Sequence, residues 1–297
     1  MSRVFVFGNA MVDLSMTVPH LPLPGETLVA SGAVRLPGGK GLNQAIAASR
    51  MGAQTSFCAA IGNDADGLYL AGVLAAEKLA PLRLLHRREA TDLSVLLVGA
   101  DSENCIVSLC GCADSLGLGD VDTALEGIAA GDWLMLQGNL PGDVTLAAAR
   151  RARGGGASVL FNPAPLRWPA GPVLAEATVV VANRSESMSL TGISDPVAAA
   201  EALRAAGPAV AMVTLGEVGC VWADEAGMHG QAAPSVQAVD TTGAGDVFCG
   251  TLVAGLAAGT PLAEAIATAQ RAAAVATTWR GAWPGPLTPE KVAALPG

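Results

Sequence analysis

The chain has 297 residues, of which 17 are basic and 26 acidic, so its formal net charge is −9. This balance argues against a protein that neutralises the phosphates of DNA or RNA, because such proteins carry a basic surface. Hydrophobic residues make up 51% and charged residues 14%, a composition that excludes disorder and predicts a large core. The longest uncharged stretch, 247–263, is interrupted by glycines and a proline, and a bilayer span needs about 20 apolar residues. We therefore expect a soluble, cytoplasmic protein that binds neither nucleic acid nor a membrane.

In chain order, short β-rich runs alternate with alanine-rich stretches that are typical of helices. Strands that alternate with helices form βαβ units, which build a parallel sheet with both faces covered. The sequence therefore predicts an α/β fold with a mostly parallel central sheet and helices on both faces. The predicted strands are 3–7, 55–61, 133–136, 158–161, 179–182 and 209–214. The predicted helices are 43–51, 66–79, 144–153, 196–206, 244–258 and 261–278.

Two regions depart from this alternation, because residues 14–36 and 93–109 resemble strands with no helix between them. We expect these segments to form a small β-sheet that projects from the main body as a lid. The second region should contain a hairpin, since it holds three turn-forming residues, Asp101, Ser102 and Asn104. Without a low-complexity linker or an internal repeat, residues 1–297 are predicted to form a single domain with the lid inserted in it.

Cysteine and histidine are poor candidates for a metal site in this chain. The six cysteines do not make a disulfide scaffold at this length, and small buried thiols are the simpler interpretation. The three histidines stand apart and form no His-Glu-x-x-His pattern. A Cys/His metal centre and a Ser-His-Asp hydrolase are both disfavoured.

A glycine-rich segment, DTTGAGD at 240–246, opens the predicted helix that follows it. Glycines let backbone amides approach an anion closely, and a helix N-terminus adds unpaired N–H groups and a positive dipole end. The carboxylate of Asp246 could cap the helix or act on a ligand. The segment alone favours the cap, and only the rest of the sequence favours the ligand.

A second glycine cluster, PGGKGLNQ at 37–44, opens the helix that follows the first lid segment. It is not a P-loop, because Lys40 is followed by Gly41 rather than by Ser or Thr, and no Gly-x-Gly-x-x-Gly follows the first strand. Two interpretations stay open. The cluster is either a glycine-rich turn that leaves Lys40 in solvent or a polar clamp for a small hydroxylated ligand.

Taken together, GGKGLNQAIAASRMGA at 38–53 and DTTGAGDVFCG at 240–250 resemble the two signatures of the PfkB/ribokinase family of sugar kinases. The resemblance implies a ribokinase-like α/β fold with a small β-lid. It also implies an ATP-dependent phosphotransferase whose sheet domain binds both substrates while the lid closes on the sugar. Further matches follow in the family's order: GNAMVD at 8–13, PGE at 24–26, FNPAP at 161–165, NRSE at 183–186, TLGEVG at 214–219 and RGAWPG at 280–285.

The resemblance implies a role for each matched residue. Asp246 would take the proton of the acceptor hydroxyl, while the backbone amides of Gly243, Ala244, Gly245 and Asp246 stabilise charge on the transferring phosphoryl group. Glu186 would hold hydrated Mg²⁺, an ion that keeps several of its waters. The implied sugar contacts are Asp13, Gly39, Lys40, Asn43, Asn139 and Asp246. The implied ATP contacts are Asn183, Thr214, Gly216, Gly219 and Gly245.

Two positions depart from the family pattern. Asn139 stands where ribokinases usually carry a sugar-contacting glutamate, which puts strict ribose specificity in doubt because an amide accepts a hydrogen bond without charge. Gly285 stands where they can supply a serine oxygen to a monovalent cation such as K⁺. The other implied K⁺ contacts are backbone carbonyls, those of Asp240, Thr242, Ala276, Trp279 and Gly281.

The sequence therefore predicts a Mg·ATP-dependent sugar kinase that converts ribose to ribose 5-phosphate. Another pentose, a hexose or a nucleoside stays open as the acceptor, as does a catalytically idle relative that only binds a sugar. A homodimer formed through the lid is a further hypothesis. Single residues also keep structural interpretations: Asn183 as a helix cap, Glu186 as a solvated acid in a first helical turn, and Asp13 as an acceptor for turn amides.

Overall fold

The computed structural model describes residues 2–99 and 103–295. Within these ranges the strands form two sheets, one of nine strands and one of four. The strands are β1 (Val4–Phe7), β2 (Met11–Thr17), β3 (Gly32–Gly38), β4 (Thr55–Gly62), β5 (Leu79–Arg87), β6 (Leu93–Val98), β7 (Asn104–Leu109), β8 (Trp133–Gln137), β9 (Ser158–Asn162), β10 (Val179–Asn183), β11 (Val210–Thr214), β12 (Cys220–Asp224) and β13 (Gly227–Gln231). The helices are α1 (Lys40–Arg50), α2 (Ala65–Leu74), α3 (Gly111–Asp114), α4 (Leu118–Ala124), α5 (Gly142–Gly154), α6 (Gly171–Leu174), α7 (Arg184–Thr191), α8 (Pro196–Ala205), α9 (Ala244–Ala257), α10 (Leu262–Ala276) and α11 (Pro289–Ala294).

The larger sheet has the strand order β13-β12-β11-β10-β9-β8-β1-β4-β5. Neighbouring strands from β11 through to β5 pair in parallel, and β12 pairs antiparallel with both β11 and β13. Parallel sheets are covered on both faces, so their strands read as continuous apolar runs. β1 has the sequence Val-Phe-Val-Phe and all four residues are buried. The predicted mostly parallel sheet is confirmed.

Helices cover both faces of this sheet, because successive strand residues point to opposite sides. Phe5 and Phe7 belong to a buried cluster with α4, α5, α6 and α8. Val4 and Val6 belong to a second cluster with α1, α2, α9 and α10 on the other face. Full burial of an apolar side chain contributes about 1.5–3 kcal/mol. These two layers of helices fix the sheet between them and leave the ends of its strands free for ligands.

The smaller sheet has the strand order β3-β2-β6-β7, with a parallel pair, β2 and β6, at its centre. Its strands extend beyond the first predicted segment, since β2 begins at Met11 and β3 ends at Gly38, while residues 18–31 between them form no strand. The predicted turn residues Asp101 and Ser102 lie outside the described residues. Short connections join this sheet to the main body, three residues after β1 and a single glycine before α1. A lid that closes on a ligand stays a prediction.

Several predicted boundaries are wrong. The helix predicted at 66–79 ends at Leu74, and the chain then enters β5 at Leu79. β5 is the outermost strand and many of its side chains are partly exposed, so it lacks the continuous apolar run of a central strand. The hairpin of β12 and β13 was also missed, and α7 was anticipated only through the interpretation of Asn183 as a helix cap. Of the helices in the described ranges, none combines the length and hydropathy needed to span a membrane.

Candidate active site

Polar residues end four neighbouring parallel strands of the larger sheet: Gln137 on β8, Asn162 on β9, Asn183 on β10 and Thr214 on β11. Gln137 is in register with Asn162, and Asn183 with Thr214. Helices α1 and α9, which begin in the two glycine segments, pack against each other. Open α/β sheets bind their ligands beyond the carboxyl ends of their strands. The candidate active site therefore lies at the carboxyl ends of these strands, beside the N-termini of α1 and α9.

Asp246 lies in the first turn of α9 and is only 5% exposed. The N-cap of this helix is Gly243, whose φ of +79° is left-handed, and a Cβ there would lie 2.7 Å from the Cα of Ala282. The hydrogen bonds of the Asp246 carboxylate come instead from α1. Gln44 Nε2 donates to Oδ1 at 3.0 Å and Asn43 Nδ2 donates to Oδ2 at 3.3 Å. The interpretation of Asp246 as the N-cap is wrong.

Lys40 is the first residue of α1, and its Nζ lies 4.0 Å from Asp246 Oδ1. The negative charge of Asp246 raises the pKa of the Lys40 ammonium, and Glu186 adds to this, although burial acts in the opposite direction. The side chain of Lys40 is 37% exposed, so part of it remains open to a ligand. The structure contradicts the interpretation in which Lys40 points away into solvent, because it lies beside a buried carboxylate.

Asp13 faces the same space from β2 of the smaller sheet. Burial raises the pKa of its carboxyl group to about 6, and the negative charge of Asp246 adds to this effect. The backbone of Gly38 lies directly against the group, since a Cβ there would overlap the Asp13 carboxyl. The structure thus brings two acids and one ammonium group together at the junction of the two sheets.

Three buried amides that sequence reasoning did not single out support Asp246: Gln44, Gln137 and Asn162. Gln44 Nε2 donates a second hydrogen bond to Asn162 Oδ1 at 3.1 Å, and Gln44 Oε1 accepts one from Gln137 Nε2 at 2.7 Å. Asn162 Nδ2 in turn donates to the carbonyl of Val181 at 2.8 Å. A polar residue at the end of an otherwise apolar buried strand was the signal that could have identified Gln137 and Asn162.

The N-terminus of α1 is built on the connection between β1 and β2. Asn9 Oδ1 accepts a hydrogen bond from the Gly41 N–H at 3.2 Å, and the Asn9 carbonyl accepts one from the Leu42 N–H at 3.0 Å. Gly39, the N-cap, has a φ of +100° that only glycine adopts easily. Within the described part of the chain, the buried Oδ1 of Asn43 has no hydrogen-bond partner. Such an acceptor costs about 1–3 kcal/mol when unpaired, so we expect a ligand hydroxyl or a water there.

On the other side of the site, Asn183 and Glu186 form a capping box at the start of α7. Burial raises the pKa of the Glu186 carboxyl, while the Asn183 N–H and the positive charge of Lys40 act against this. Thr214 ends the neighbouring strand, and Gly216 and Gly219 border the 3-10 turn that follows it. The capping interpretation of Asn183 is confirmed, and it leaves a ligand role for the same residues as a prediction.

Asp240 ties the second glycine segment to the C-terminal loop. Its Oδ1 accepts hydrogen bonds from the Thr242 N–H at 2.9 Å and the Thr242 hydroxyl at 2.6 Å, and its Oδ2 accepts one from the Gly281 N–H at 2.9 Å. The Asp240 N–H donates to the carbonyl of Thr277, just after α10, at 3.1 Å. The two loops predicted to line a K⁺ site therefore lie together; Ala276 ends α10 just before the second loop, which also carries Trp279.

Glycine at position 285 has a packing role in this structure. A Cβ there would overlap the Trp283 indole, so a serine would not fit without a shift. The carbonyl of Gly285 accepts a hydrogen bond from Arg50 Nη1 at 2.5 Å. The departure from the family pattern at this position thus accompanies a bulky neighbouring ring.

Arg167 is a further residue near the candidate site that sequence reasoning missed. Its Nη1 donates to the backbone carbonyl of Asn139 at 2.8 Å, and its guanidinium forms an ion pair with Asp114 at 2.7 Å. Among the residues described, the buried Oδ1 of Asn139 has no partner. Arg167 therefore anchors the backbone of a loop whose side-chain oxygen is available as an acceptor.

Comparisons with known proteins agree with this fold and site. The family profile of pfkB family carbohydrate kinases matches residues 1–288. A ribokinase of Haemophilus influenzae is 33% identical over 283 residues, which cover 93% of this chain and 92% of that protein. The chain therefore belongs to the pfkB family of carbohydrate kinases, phosphotransferases that act on a sugar hydroxyl.

Solved structures place the chain close to ribokinases within that family. A ribokinase from Thermotoga maritima superimposes with a TM-score of 0.90 at 28% identity, over 99% of both chains. The Arabidopsis thaliana ribokinase in complex with ribose and ATP has a TM-score of 0.88 at 25% identity, also over 99% of both. The predicted family and ribokinase-like fold are confirmed, and the roles of individual residues stay predictions.

Proposed function

We propose that this kinase transfers the γ-phosphoryl group of ATP to ribose and releases ribose 5-phosphate and ADP. The observation that carries the proposal is the position of Asp246, a buried carboxylate at the N-terminus of α9 beside Lys40 and Asn43. The likeness to ribokinases, one of them solved with ribose and ATP, supports ribose as the acceptor.

The sugar is expected to bind where the two sheets meet. A carboxylate such as Asp13 can accept hydrogen bonds from two hydroxyls, and Lys40 can donate to a sugar oxygen. The unpartnered oxygens of Asn43 and Asn139 are further acceptors for hydroxyl groups. Gly39 lies at the same corner and is proposed to contact the sugar through its backbone.

Asp246 acts as the general base in this proposal. The proton of the attacking hydroxyl moves to the carboxylate as the new O–P bond forms, and the bond between the γ-phosphorus and the bridging oxygen breaks, so ADP leaves. Gly243, Ala244, Gly245 and Asp246 present backbone N–H groups of the first turn to the transferring phosphoryl group. A Cβ placed on Gly245 would meet nothing within 4 Å, so this turn has open space beside it.

The nucleotide is expected on the side of β10 and β11, against Asn183, Thr214, Gly216 and Gly219. Mg²⁺, when bound, neutralises charge on the nucleotide phosphates. The described residues contain no group of three His, Cys, Asp or Glu side chains suited to an all-protein metal site. A hydrated Mg²⁺ held by Glu186 through water fits this arrangement, because the ion needs few direct ligands.

A K⁺ ion would fit between the two loops that Asp240 joins. Backbone carbonyls of both loops suit a large, weakly hydrated cation beside the anion-binding turn. The hydrogen bonds of Asp240 to Thr242 and Gly281 support this part of the proposal, because they hold the loops at a fixed separation. K⁺ would act by stabilising that geometry.

The smaller sheet is proposed to serve as a lid and as a dimer interface. Its strands β3 and β7 expose the large apolar side chains Val34, Ile106, Val107 and Leu109. These are the two outer strands of the sheet, so exposed apolar side chains lie at both of its edges, and such surface often marks a protein interface. Light scattering of the protein and of an Ile106→Lys, Val107→Glu double variant tests the dimer.

The cytoplasm, where ATP is available, stays the proposed location.

Sugar-dependent ADP production by the purified protein tests the proposed reaction, with ribose compared against other pentoses, hexoses and nucleosides and with the product identified. Ribose-dependent turnover that yields ribose 5-phosphate is the expected result. If only nucleosides stimulate turnover, the acceptor is wrong. If no acceptor does, the chain is a sugar-binding relative without activity.

A further inference from the structure

Gln44 is fully buried on α1 and lies against Asp246, 202 residues further along the chain. We infer that Gln44 is a positioning residue that fixes the orientation of the Asp246 carboxylate for proton abstraction. This inference rests on the proposed function, in which Asp246 is the general base. Gln44 itself has no surface for a substrate to touch, so it acts only through Asp246.

Every polar group of the Gln44 amide is engaged. The two Nε2 hydrogens are donated to Asp246 Oδ1 at 3.0 Å and to Asn162 Oδ1 at 3.1 Å, and Oε1 accepts from Gln137 Nε2 at 2.7 Å. An amide has two donors to give, and both are used here. Rotation of the side chain would break three hydrogen bonds, so its position is strongly determined.

The carboxylate of Asp246 and the carbonyl of Val181 together set the direction of these hydrogen bonds. An ionised carboxylate only accepts, so the NH₂ group of Gln44 must face it and the Gln44 oxygen must face Gln137. Gln137 then has to present its own NH₂ group, and its oxygen is left as a buried acceptor without a partner among the described residues. We call the hydrogen-bonded amides of Gln44, Gln137 and Asn162 the amide relay. The unpaired Gln137 oxygen is a cost that follows from the way the Asp246 carboxylate orients this relay.

The relay is anchored to the rigid sheet. Asn162 and Gln137 are the last residues of β9 and β8, and Asn162 also donates to the carbonyl of Val181 in β10. Gln44 thus connects the first turn of α9 to the centre of the parallel sheet. Of the two Asp246 carboxylate oxygens, Oδ1 is held by Gln44 and lies beside Lys40. The other oxygen, Oδ2, accepts only the longer hydrogen bond from Asn43, so it is the one left to face the acceptor hydroxyl.

The test compares Gln44→Met with a matched control, Gln270→Met. Methionine keeps the length of the side chain and removes its amide. Gln270 is also a buried helical glutamine whose amide makes two hydrogen bonds, to Cys220 Sγ and the Gln231 carbonyl, and none to Asp246 or its partners. We expect Gln44→Met to lower kcat by about 10- to 100-fold, because small misplacements of reacting groups cost that much. KM for ribose and for ATP should change less than about threefold, and the control should keep kcat.

A double variant separates this inference from the proposed function. If Gln44 acts through Asp246, adding Gln44→Met to Asp246→Asn should lower kcat less than about threefold further, because residues that act as a unit are not additive. Full additivity, or a Gln44→Met enzyme with a parental kcat, would overturn the positioning role. An active Asp246→Asn enzyme would instead overturn the general base itself.

A second variant keeps the inference testable if Gln44→Met does not fold. Gln137→Met leaves the contact between Gln44 and Asp246 and removes the hydrogen bond that anchors Gln44 Oε1. A kcat reduced by about 3- to 10-fold with an unchanged KM for ribose is expected, because the Gln44 amide loses one of its three hydrogen bonds and holds the carboxylate less firmly. A parental kcat in this variant would count against the oriented relay.

Discussion

Asn183 and Glu186 each accept a hydrogen bond from the other's backbone: Asn183 Oδ1 from the Glu186 N–H at 2.8 Å, and Glu186 Oε2 from the Asn183 N–H at 2.9 Å. The same two residues are the ones that we expect to organise phosphate and Mg²⁺. A capping box and a ligand site therefore share side chains, and a substitution has to keep the cap if it is to test the ligand role.

Glu186→Gln meets this requirement, because glutamine also serves at the third position of a capping box. We expect the free energy of unfolding to change by less than about 0.5 kcal/mol, whereas loss of a cap costs about 0.5–2 kcal/mol. The Mg²⁺ concentration for half-maximal activity should rise about 10- to 100-fold, as is typical when an outer ligand of a metal is removed. An unchanged Mg²⁺ dependence would argue that Glu186 only caps the helix.

Asp246→Asn should lower kcat by about 10²–10⁴-fold, the usual contribution of general-base catalysis. The fold should persist, because the N-cap of α9 is Gly243 and asparagine can still accept one of the bonds from Asn43 and Gln44. The measurement is ribose-dependent ADP production, with melting temperature and ribose affinity determined on the same protein. A folded variant that turns over within a fewfold of the parent would restore a purely structural role.

The ionisation of Asp13 should control ribose use at mildly acid pH. Its pKa is raised to about 6 in the free protein, so the carboxylate that accepts sugar hydroxyls is lost below that pH. We expect kcat/KM for ribose to fall about tenfold for each pH unit below about 6. The pH profile of an Asp13→Asn variant should lack this fall. A parent profile that stays flat from pH 7 to 5 would contradict the assignment.

The same group affects stability in the opposite direction. Because its folded pKa is raised, the protonated Asp13 stabilises the ligand-free fold fully below the ordinary aspartate pKa of 3.8, and this contribution is lost as pH rises through about 6. Asp92, another buried carboxyl with a pKa raised to about 6, contributes with the same sign. The difference in melting temperature between the parent and Asp13→Asn, followed from pH 4 to 7, isolates the part that belongs to Asp13.

Asn139→Glu should narrow the choice of sugar. Hydrogen bonds to charged groups contribute about 1.5–3 kcal/mol against about 0.5–1.5 kcal/mol for neutral pairs. A sugar with a correctly placed hydroxyl should therefore bind the glutamate more tightly, and a sugar that lacks this hydroxyl should be disfavoured more strongly. We expect the ratio of kcat/KM between ribose and the poorer pentoses to widen about 5- to 10-fold. Asn139→Ala is the control, since it removes the acceptor without adding charge. Equal ratios in all three proteins would exclude position 139 from sugar selection.

K⁺ should stimulate the enzyme more than Na⁺ at equal ionic strength, because carbonyl-lined loops suit the larger ion. Equal rates in saturating K⁺ and in a large organic cation would count against the site. Gly285→Ser is expected to lower the melting temperature without strengthening K⁺ activation, since its Cβ meets the Trp283 indole. A gain in K⁺ affinity in that variant would show that the serine reaches the ion.

Much of this architecture could be predicted from local patterns. Central strands such as β1 are short apolar runs whose neighbours in the sheet are also buried, and the two glycine segments mark helix N-termini by residues adjacent in sequence. The strands that escaped prediction are peripheral. β5 has one neighbour and mixed exposure, and β12 and β13 form an antiparallel hairpin beyond the parallel series. Their burial depends on position in the sheet, which a local pattern does not contain.

By itself, the sequence determined the family, the alternation of central strands with helices, and which polar residues belong to the two glycine segments. Only the tertiary structure decided how those residues act on one another. It turned Asp246 away from its own helix toward Gln44, raised the pKa of Asp13 through burial, and joined Asp240 to Gly281, 41 residues away. The physical reason is that hydrogen bonds and desolvation act through space, between groups whose separation along the chain carries no information about their distance.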